Sequence, residues 1–289
     1  MTVGEKFSTF LGNLALTSTQ RDDGVTKHTG VRSCLNGHYY GTSSGYSNSI
    51  LVGSLGKDTQ IRPPRDIDVL FELPASVYER YQQRPGNKQS QLLQEVKGVL
   101  GATYPSTTMR ADGQVVVVPF ASYAVEVVPA FKLTSGQYWI CDTSNGGRYK
   151  PTAPEAEVAH LRQSDGGTKG NTRDLIRMSK CWQGHCSVPL KSFWIELIAI
   201  DFINTWAHKG NSTVYYDWMV RDLFGYLKGR ARGYVFAPGT AEMMYLGDVW
   251  LSRAETAHGR AEKACKLEAS SDADAGIEWQ KIFGTYIPL

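Results

Sequence analysis

Long apolar runs are missing from this chain. None approaches the roughly 18 consecutive residues that would suggest a membrane span, and the opening MTVGEKFSTFLGNLAL has neither the basic start nor the uninterrupted apolar stretch of a secretory signal. An excess of one charge is missing too. The 31 basic and 28 acidic residues leave a net charge of +3, too little for the broad positive field of a protein that coats nucleic acid. The five cysteines are odd in number and scattered through 289 residues, as expected of reduced thiols in a cytosol rather than a disulfide framework. Cys181, His185 and Cys186 lack the paired spacing of a zinc site. No internal repeat is found. A cytoplasmic protein is therefore expected, with no membrane partner, no stable nucleic-acid binding and no zinc.

Apolar residues make up 42% of the chain, with seven Trp and fifteen Tyr, enough for one large or two intimately packed domains. The most informative segment is GSLGKDTQIRPPRDID at 53–68, followed 58 residues after Asp68 by Glu126 within VEVVPAF. In a strand, side chains at i and i+2 share a face. Asp66 and Asp68 are thus expected to project together, with Ile67 turned the other way into packing. Val69, Leu70 and Phe71 continue an apolar strand, and Val125, Val127 and Val128 flank Glu126 in the same style. Three carboxylates on adjacent strands repel one another unless cations lie between them. Hard oxygen donors of this kind suit Mg²⁺, with Mn²⁺ as the alternative, completed by substrate phosphates and water. Gly53 follows the apolar Ile50-Leu51-Val52 and permits close backbone approach, while Ser54 offers a hydroxyl and an N–H to phosphate oxygens. Gly56-Lys57 is not a Walker loop, because Asp58 stands where Ser or Thr is required and the following pattern is strand rather than helix.

Helical patterns are expected at 3–16, where Phe7, Phe10, Leu11 and Leu14 share a face, and at about 20–38. The polar stretch GTSSGYSNS at 41–49 reads as a linker or a mobile lip beside the Gly-Ser motif. Strands at 50–53 and 66–72, a helix at 88–100, and strands near 114–119 and 123–129 complete a sheet backed by helices. From about 150 the pattern turns helical. A helix with Asn171 as N-cap carries Arg173, Arg177 and Lys180 on one face; Pro189 opens a strongly apolar helix; a last helix at about 250–269 aligns Ala254, Ala257, Ala261 and Ala264. Trp279, Ile282 and Phe283 are expected to pin the C-terminal segment.

The Gly-Ser pair, the Asp-x-Asp strand and the third acid together resemble the polymerase-beta-like nucleotidyltransferase superfamily. The segments NTRDLIRMSKCW at 171–182, LKSFWIEL at 190–197 and EWQKIFGTYIP at 278–288 are similar to those of the bacterial cyclic-oligonucleotide synthases (CD-NTases), relatives of cyclic GMP–AMP synthase and oligoadenylate synthetase. The resemblance implies an α+β fold, with a nucleotidyltransferase core over 1–150 that includes the N-terminal helices. A helical lobe over 151–289 would pack against that core and close a nucleotide cleft. It implies Asp66, Asp68 and Glu126 as catalytic and metal-binding residues, although the family's third acid is usually Asp. Gly53, Ser54, Lys180, Ser192 and Phe193 would bind nucleotide: Lys180 and Ser192 on phosphates, Phe193 stacked on a base. The implied activity joins ATP or other ribonucleoside triphosphates into a cyclic di- or trinucleotide second messenger, read by a downstream effector in anti-phage defence. The alternatives are transfer of nucleotides to RNA or a protein, and a catalytically silent nucleotide-binding relative.

Overall fold

The computed structural model describes residues 1–289, with every side chain apart from that of Asp112. In chain order, α1 (Val3–Leu14) and α2 (Ser18–Tyr40) precede β1 (Ser49–Val52), a single helical turn α3 (Gly53–Gly56) and β2 (Asp66–Glu72). Helices α4 (Ala75–Gln82) and α5 (Lys88–Thr103) lead into strands β3 (Arg110–Asp112), β4 (Val115–Pro119), β5 (Ala124–Lys132), β6 (Tyr138–Asp142) and β7 (Arg148–Thr152). Then come α6 (Pro154–Gly167), α7 (Asn171–His185), α8 (Ser192–Thr205) and α9 (Tyr216–Lys228). The hairpin β8 (Tyr234–Phe236) and β9 (Met243–Tyr245) follows, then α10 (Leu251–Leu267) and α11 (Asp272–Phe283). Both N-terminal helices start in capping boxes, Thr2 with Glu5 and Thr17 with Gln20, each pair satisfying two otherwise orphaned N–H groups.

The chain divides into two compact units. The sheet unit comprises Leu16–Asp58 and Pro64–Ala156; the helical unit comprises Met1–Ala15, Thr59–Pro63 and Glu157–Leu289. In the sheet unit the strand order is β1-β2-β5-β4-β3, with β6 extending from β5 and β7 from β6. Only β2 and β5 run parallel; the other pairs are antiparallel, so the sheet is mixed. Period-two alternation sorts its side chains. Ile67, Val69 and Phe71 of β2, Val125 and Val127 of β5, and Val116 and Val118 of β4 form a core with Val31 and Leu35 of α2 and Leu92, Val96 and Leu100 of α5. Each such aliphatic side chain, fully buried, contributes on the order of 1.5–3 kcal/mol. The opposite face carries a smaller cluster of Leu70, Ala130, Tyr138 and Ile140, and beside it the three acids.

The polar loop before β1 is stapled rather than loose. The Asn36 amide donates to the Ser44 and Ser47 carbonyls, and Arg32 reaches Ser49 Oγ at 2.6 Å and the Tyr46 carbonyl at 2.8 Å. Two buried polar residues on α2 therefore fix the entry into β1.

The helical unit is built around the fully buried Trp182, Trp250 and Trp279. Its α10 buries Ala254, Ala257, Ala261 and Ala264, the small residues that let α9 and α11 approach it closely. Helix α1 belongs here and not with the sheet. Phe7 meets Trp279 edge-on at 5.3 Å, Phe10 lies 4.6 Å from Phe283, and the fully buried Lys6 pairs with Glu268 at 3.2 Å and Asp272 at 2.7 Å. Division of the sequence at residue 150 grouped α1 with the sheet because its partners lie far along the chain, from Tyr216 to Phe283. Three local expectations also change. Gly170, in the left-handed region, is the N-cap of α7, while Asn171 points its amide at the Lys209 and Asn211 carbonyls. Helix α8 starts at Ser192, capped by Lys191, not at Pro189. And α10 is followed by α11, which the sequence pattern left unassigned.

Candidate active site on the carboxylate face of the sheet

Parallel pairing of β2 with β5 sets Asp68 directly opposite Glu126, and Asp66 opposite Ala124. Neighbouring strands are about 4.8 Å apart, so Asp68 and Glu126 are adjacent on one face, with Asp66 two residues back along β2. Ile67 is only 2% exposed, on the other side. Asp66 is exposed, while Asp68 and Glu126 are half-buried. The alternation read from the sequence thus places its three acids together.

Gly53 explains how Asp68 is held. The chain leaves β1 at Val52, opposite Asp68 in the antiparallel β1–β2 pair, and turns at once into α3. Gly53 has φ +59°, and a Cβ there would fall 1.8 Å from Asp68 Oδ2. Only glycine gives both the left-handed backbone and the space for that carboxylate. Ser54 follows, half-buried, in the helical turn.

Electrostatics mark the same spot. Burial raises the Glu126 pKa, the neighbouring Asp68 and Asp66 raise it further, and Arg110 partly offsets them. Arg110 was not singled out in the sequence. It lies on β3 opposite Val117, which in turn lies opposite Glu126, so one row across the sheet runs Asp68, Glu126, Val117, Arg110. Hairpin arithmetic about the turn at 113–114 would have revealed it, since a two-residue turn there sets 110 against 117.

Among the described residues, no group of three or more His, Cys, Asp and Glu side chains is arranged so that it could hold a metal ion as it stands. The face nonetheless suits a hard divalent cation. All three side chains offer oxygen, and the repulsion at Glu126, which Arg110 offsets only in part, is what a cation between them would reduce.

The remaining candidates lie in the helical unit. Lys180 on α7 is 9% exposed, and its ammonium donates to Thr59 Oγ1 at 2.7 Å and to the Thr59 carbonyl at 3.3 Å. Ser192 opens α8 and donates to Gln183 Oε1 at 2.8 Å, so it is tied to the residue one turn beyond Lys180. Phe193 is half-buried against the helical core. The other two members of the basic stripe have acidic partners: Arg173 pairs with Asp165, and Arg177 lies 3.7 Å from Asp174. Cys181 and Cys186 direct their thiols at the Phe283 and Ile282 carbonyls. No helix among the described residues is long and apolar enough to cross a membrane.

Known proteins are similar to this chain in sequence and fold. Residues 1–165 match the model of the Second Messenger Oligonucleotide or Dinucleotide Synthetase domain. A probable cyclic nucleotide synthase of Bacillus cereus (strain VD146) is 23% identical over 278 residues, covering 82% of this chain and 81% of that one. Among solved structures, CdnC of E. coli MS115-1, determined with ATP, is 18% identical and matches 99% of each chain at a TM-score of 0.73. The Vibrio cholerae cyclic AMP-GMP synthase DncV, determined with the linear intermediate 5′ pppA(3′,5′)pG, is 13% identical. It covers 99% of this chain and 87% of its own at a TM-score of 0.68. At such identities the structural likeness establishes the fold alone, a mixed sheet with helices in the polymerase-beta-like arrangement. With the family model spanning more than half of its length, the chain belongs to the Second Messenger Oligonucleotide or Dinucleotide Synthetase family of bacterial CD-NTases, the cyclic nucleotide synthases.

Proposed function

We propose that this protein is a Mg²⁺-dependent nucleotidyltransferase that joins ribonucleoside triphosphates into a cyclic di- or trinucleotide and releases pyrophosphate. The product would act in the cytoplasm as a second messenger, read by a downstream effector in anti-phage defence. The observation that carries this reading is the register that sets Asp68 against Glu126, with Asp66 on the same face and Gly53 cleared of any side chain beside them. Relatives determined with ATP and with a linear dinucleotide intermediate support the substrate class.

In this reading Asp66 and Asp68 would hold the divalent ions, with Glu126 as a third carboxylate ligand. Bound there, the ions would lower the pKa of the acceptor hydroxyl and offset triphosphate charge. The chain's own groups do the positioning, which is most of the catalysis in phosphoryl transfer. Gly53 lets Asp68 keep its carboxylate directed at the ligand, and Ser54 offers its hydroxyl and N–H to phosphate oxygens. Lys180 supplies a point charge for the triphosphate, exchanging Thr59 for phosphate oxygen. Ser192, in the first turn of α8 where N–H groups are free of intrahelical partners, contacts phosphate; Phe193 stacks on a base. The acceptor oxygen bonds to the α-phosphorus as the bond to pyrophosphate breaks, and the hydroxyl proton passes to solvent. A second round on the linear product closes a dinucleotide ring, and a third is needed for a trinucleotide, each releasing pyrophosphate.

Incubation with all four ribonucleoside triphosphates and Mg²⁺ or Mn²⁺, then phosphatase and mass spectrometry, tests this. A phosphatase-resistant cyclic oligonucleotide is expected, and its mass names the bases. Label appearing on RNA or on a protein instead would move the assignment to a macromolecule-modifying transferase. Triphosphates left intact with either metal would overturn the synthase reading of the chain as it stands.

A further inference from the structure

The helical unit holds a cavity of about 820 Å³ between α6, α8 and the segment that runs from the end of α9 through β8 and its turn. It is well within the size range of small-molecule sites, roughly 300–1,000 Å³. Its floor is apolar: Leu197 and Val235 are 4% and 3% exposed. One wall is charged, with Arg230 3.8 Å from Asp201 and His160 alongside. At the lip, period-two alternation on β8 buries Val235 and turns Phe236 outward, leaving its ring 58% exposed.

The charged wall is incompletely satisfied. Arg230 uses one terminal nitrogen on the Tyr234 carbonyl at 2.9 Å; its Nε has no acceptor among the described residues but is shut off from the cavity, so the terminal nitrogens of this 29%-exposed side chain are what a ligand can reach. A separation of 3.8 Å from Asp201 exceeds the 2.7–2.9 Å of a charge-assisted hydrogen bond. The Asp201 carboxylate accepts no side-chain hydrogen bond among the described residues either. Its side chain is 48% exposed, and partial burial raises its pKa while Arg230 and His160 partly offset that rise. A donor and an acceptor side by side, an apolar floor and a free aromatic face together call for a planar ligand. Its one edge must present an acceptor beside a donor. Purine bases have that edge, with O6 next to N1–H in guanine and N1 next to N6–H in adenine.

We infer that this cavity is a purine-nucleoside site, with Arg230 donating to the base, Asp201 accepting from it and Phe236 stacked on its face. It lies wholly within the helical unit and uses none of the residues assigned to the carboxylate face, so it stands whether or not the synthase reading does. A ligand there would be an effector rather than a reacting group.

The test is isothermal titration of the full chain with adenosine and with guanosine in the presence of EDTA, which removes metal-bridged phosphate binding from the readout. One nucleoside is expected to bind with one site per chain. Affinity should be kept in the Asp66→Asn/Asp68→Asn variant, weakened about tenfold by Phe236→Ala, which deletes one stacking contact, and lost in Arg230→Met. Phe236 is exposed enough for its removal to leave the fold intact, which separates loss of binding from unfolding. Absence of heat for both nucleosides at millimolar concentration, or binding that Phe236→Ala and Arg230→Met both leave unchanged, would overturn the assignment.

Discussion

Two glutamates in this chain are displaced in opposite directions, and the contrast separates what holds the fold from what is poised for a ligand. In the helical unit Glu278 is 2% exposed, yet its pKa is pulled down to about 2. Burial alone would raise it, but Lys263 at 2.6 Å, Lys281 at 2.9 Å and Arg260 at 2.9 Å all donate to it and prevail. In the sheet unit Glu126 is pushed up, first by burial and then by Asp68 and Asp66. Lys6 with Glu268 and Asp272, and Arg173 with Asp165, repeat the first pattern: charges matched at short range. At Glu126 the balance runs the other way, with burial and the neighbouring carboxylates outweighing Arg110. A carboxylate held beside two others at an energetic cost is a candidate functional position.

The hardest test of that contrast is the Asp66→Asn/Asp68→Asn variant. Nucleotide turnover should fall to background, while the thermal midpoint without divalent cation stays level or rises, because repulsion has been removed. A large drop in the midpoint would mean that these acids also hold the fold, and the two units would no longer differ. Gly53→Ala comes next. Its Cβ would fall 1.8 Å from Asp68 Oδ2, so the carboxylate must move. Displacement of about 1 Å in a reacting group lowers turnover about 100-fold. The left-handed backbone adds about 1–2 kcal/mol of instability, seen as a small fall in the denaturant midpoint.

What the sequence revealed followed from local rules. Asp66, Ile67 and Asp68 obey a period of two, so their faces could be assigned before any pairing was known, and Ile67 is buried as expected. Partners brought by long-range pairing could not be read this way. Thr59 meets Lys180 across 121 residues, and Lys6 meets Glu268 across 262. Asn171 looked like a helix cap because Asn commonly is one. Tertiary contacts won instead, with its amide on two carbonyls and Tyr216 Oη donating to Asn171 Oδ1 at 2.8 Å. The three-residue strands β8 and β9 are too short for a periodic signal, so the hairpin beside the cavity was invisible too.

A medium effect is expected at Glu278. Its folded pKa of about 2 lies below the unfolded 4.5, so its contribution is complete above pH 4.5 and is lost as pH falls toward 2. Glu278→Gln should lower the unfolding free energy at pH 7 by about 1–2 kcal/mol, discounted because the three cations are partly exposed. It should also flatten the acid limb of stability against pH, measured by denaturant titration.

The smallest effect, and the sharpest in sign, is at Glu126. Its folded pKa is raised, so whatever stability it contributes is present below the unfolded value of 4.5 and lost as pH rises through the folded pKa. Above that folded pKa its charge therefore opposes folding. Glu126→Gln should be slightly more stable than the native chain in EDTA, with the difference closing below pH 4.5. Adding Mg²⁺ should reverse the order, because an ion bound only to the folded state stabilises the chain that binds it better. If Glu126→Gln were instead less stable in EDTA at pH 7, the carboxylate would have a stabilising partner within the protein, as Glu278 does. The sheet face would then be another matched cluster, and the case for a cation site there would fall with it.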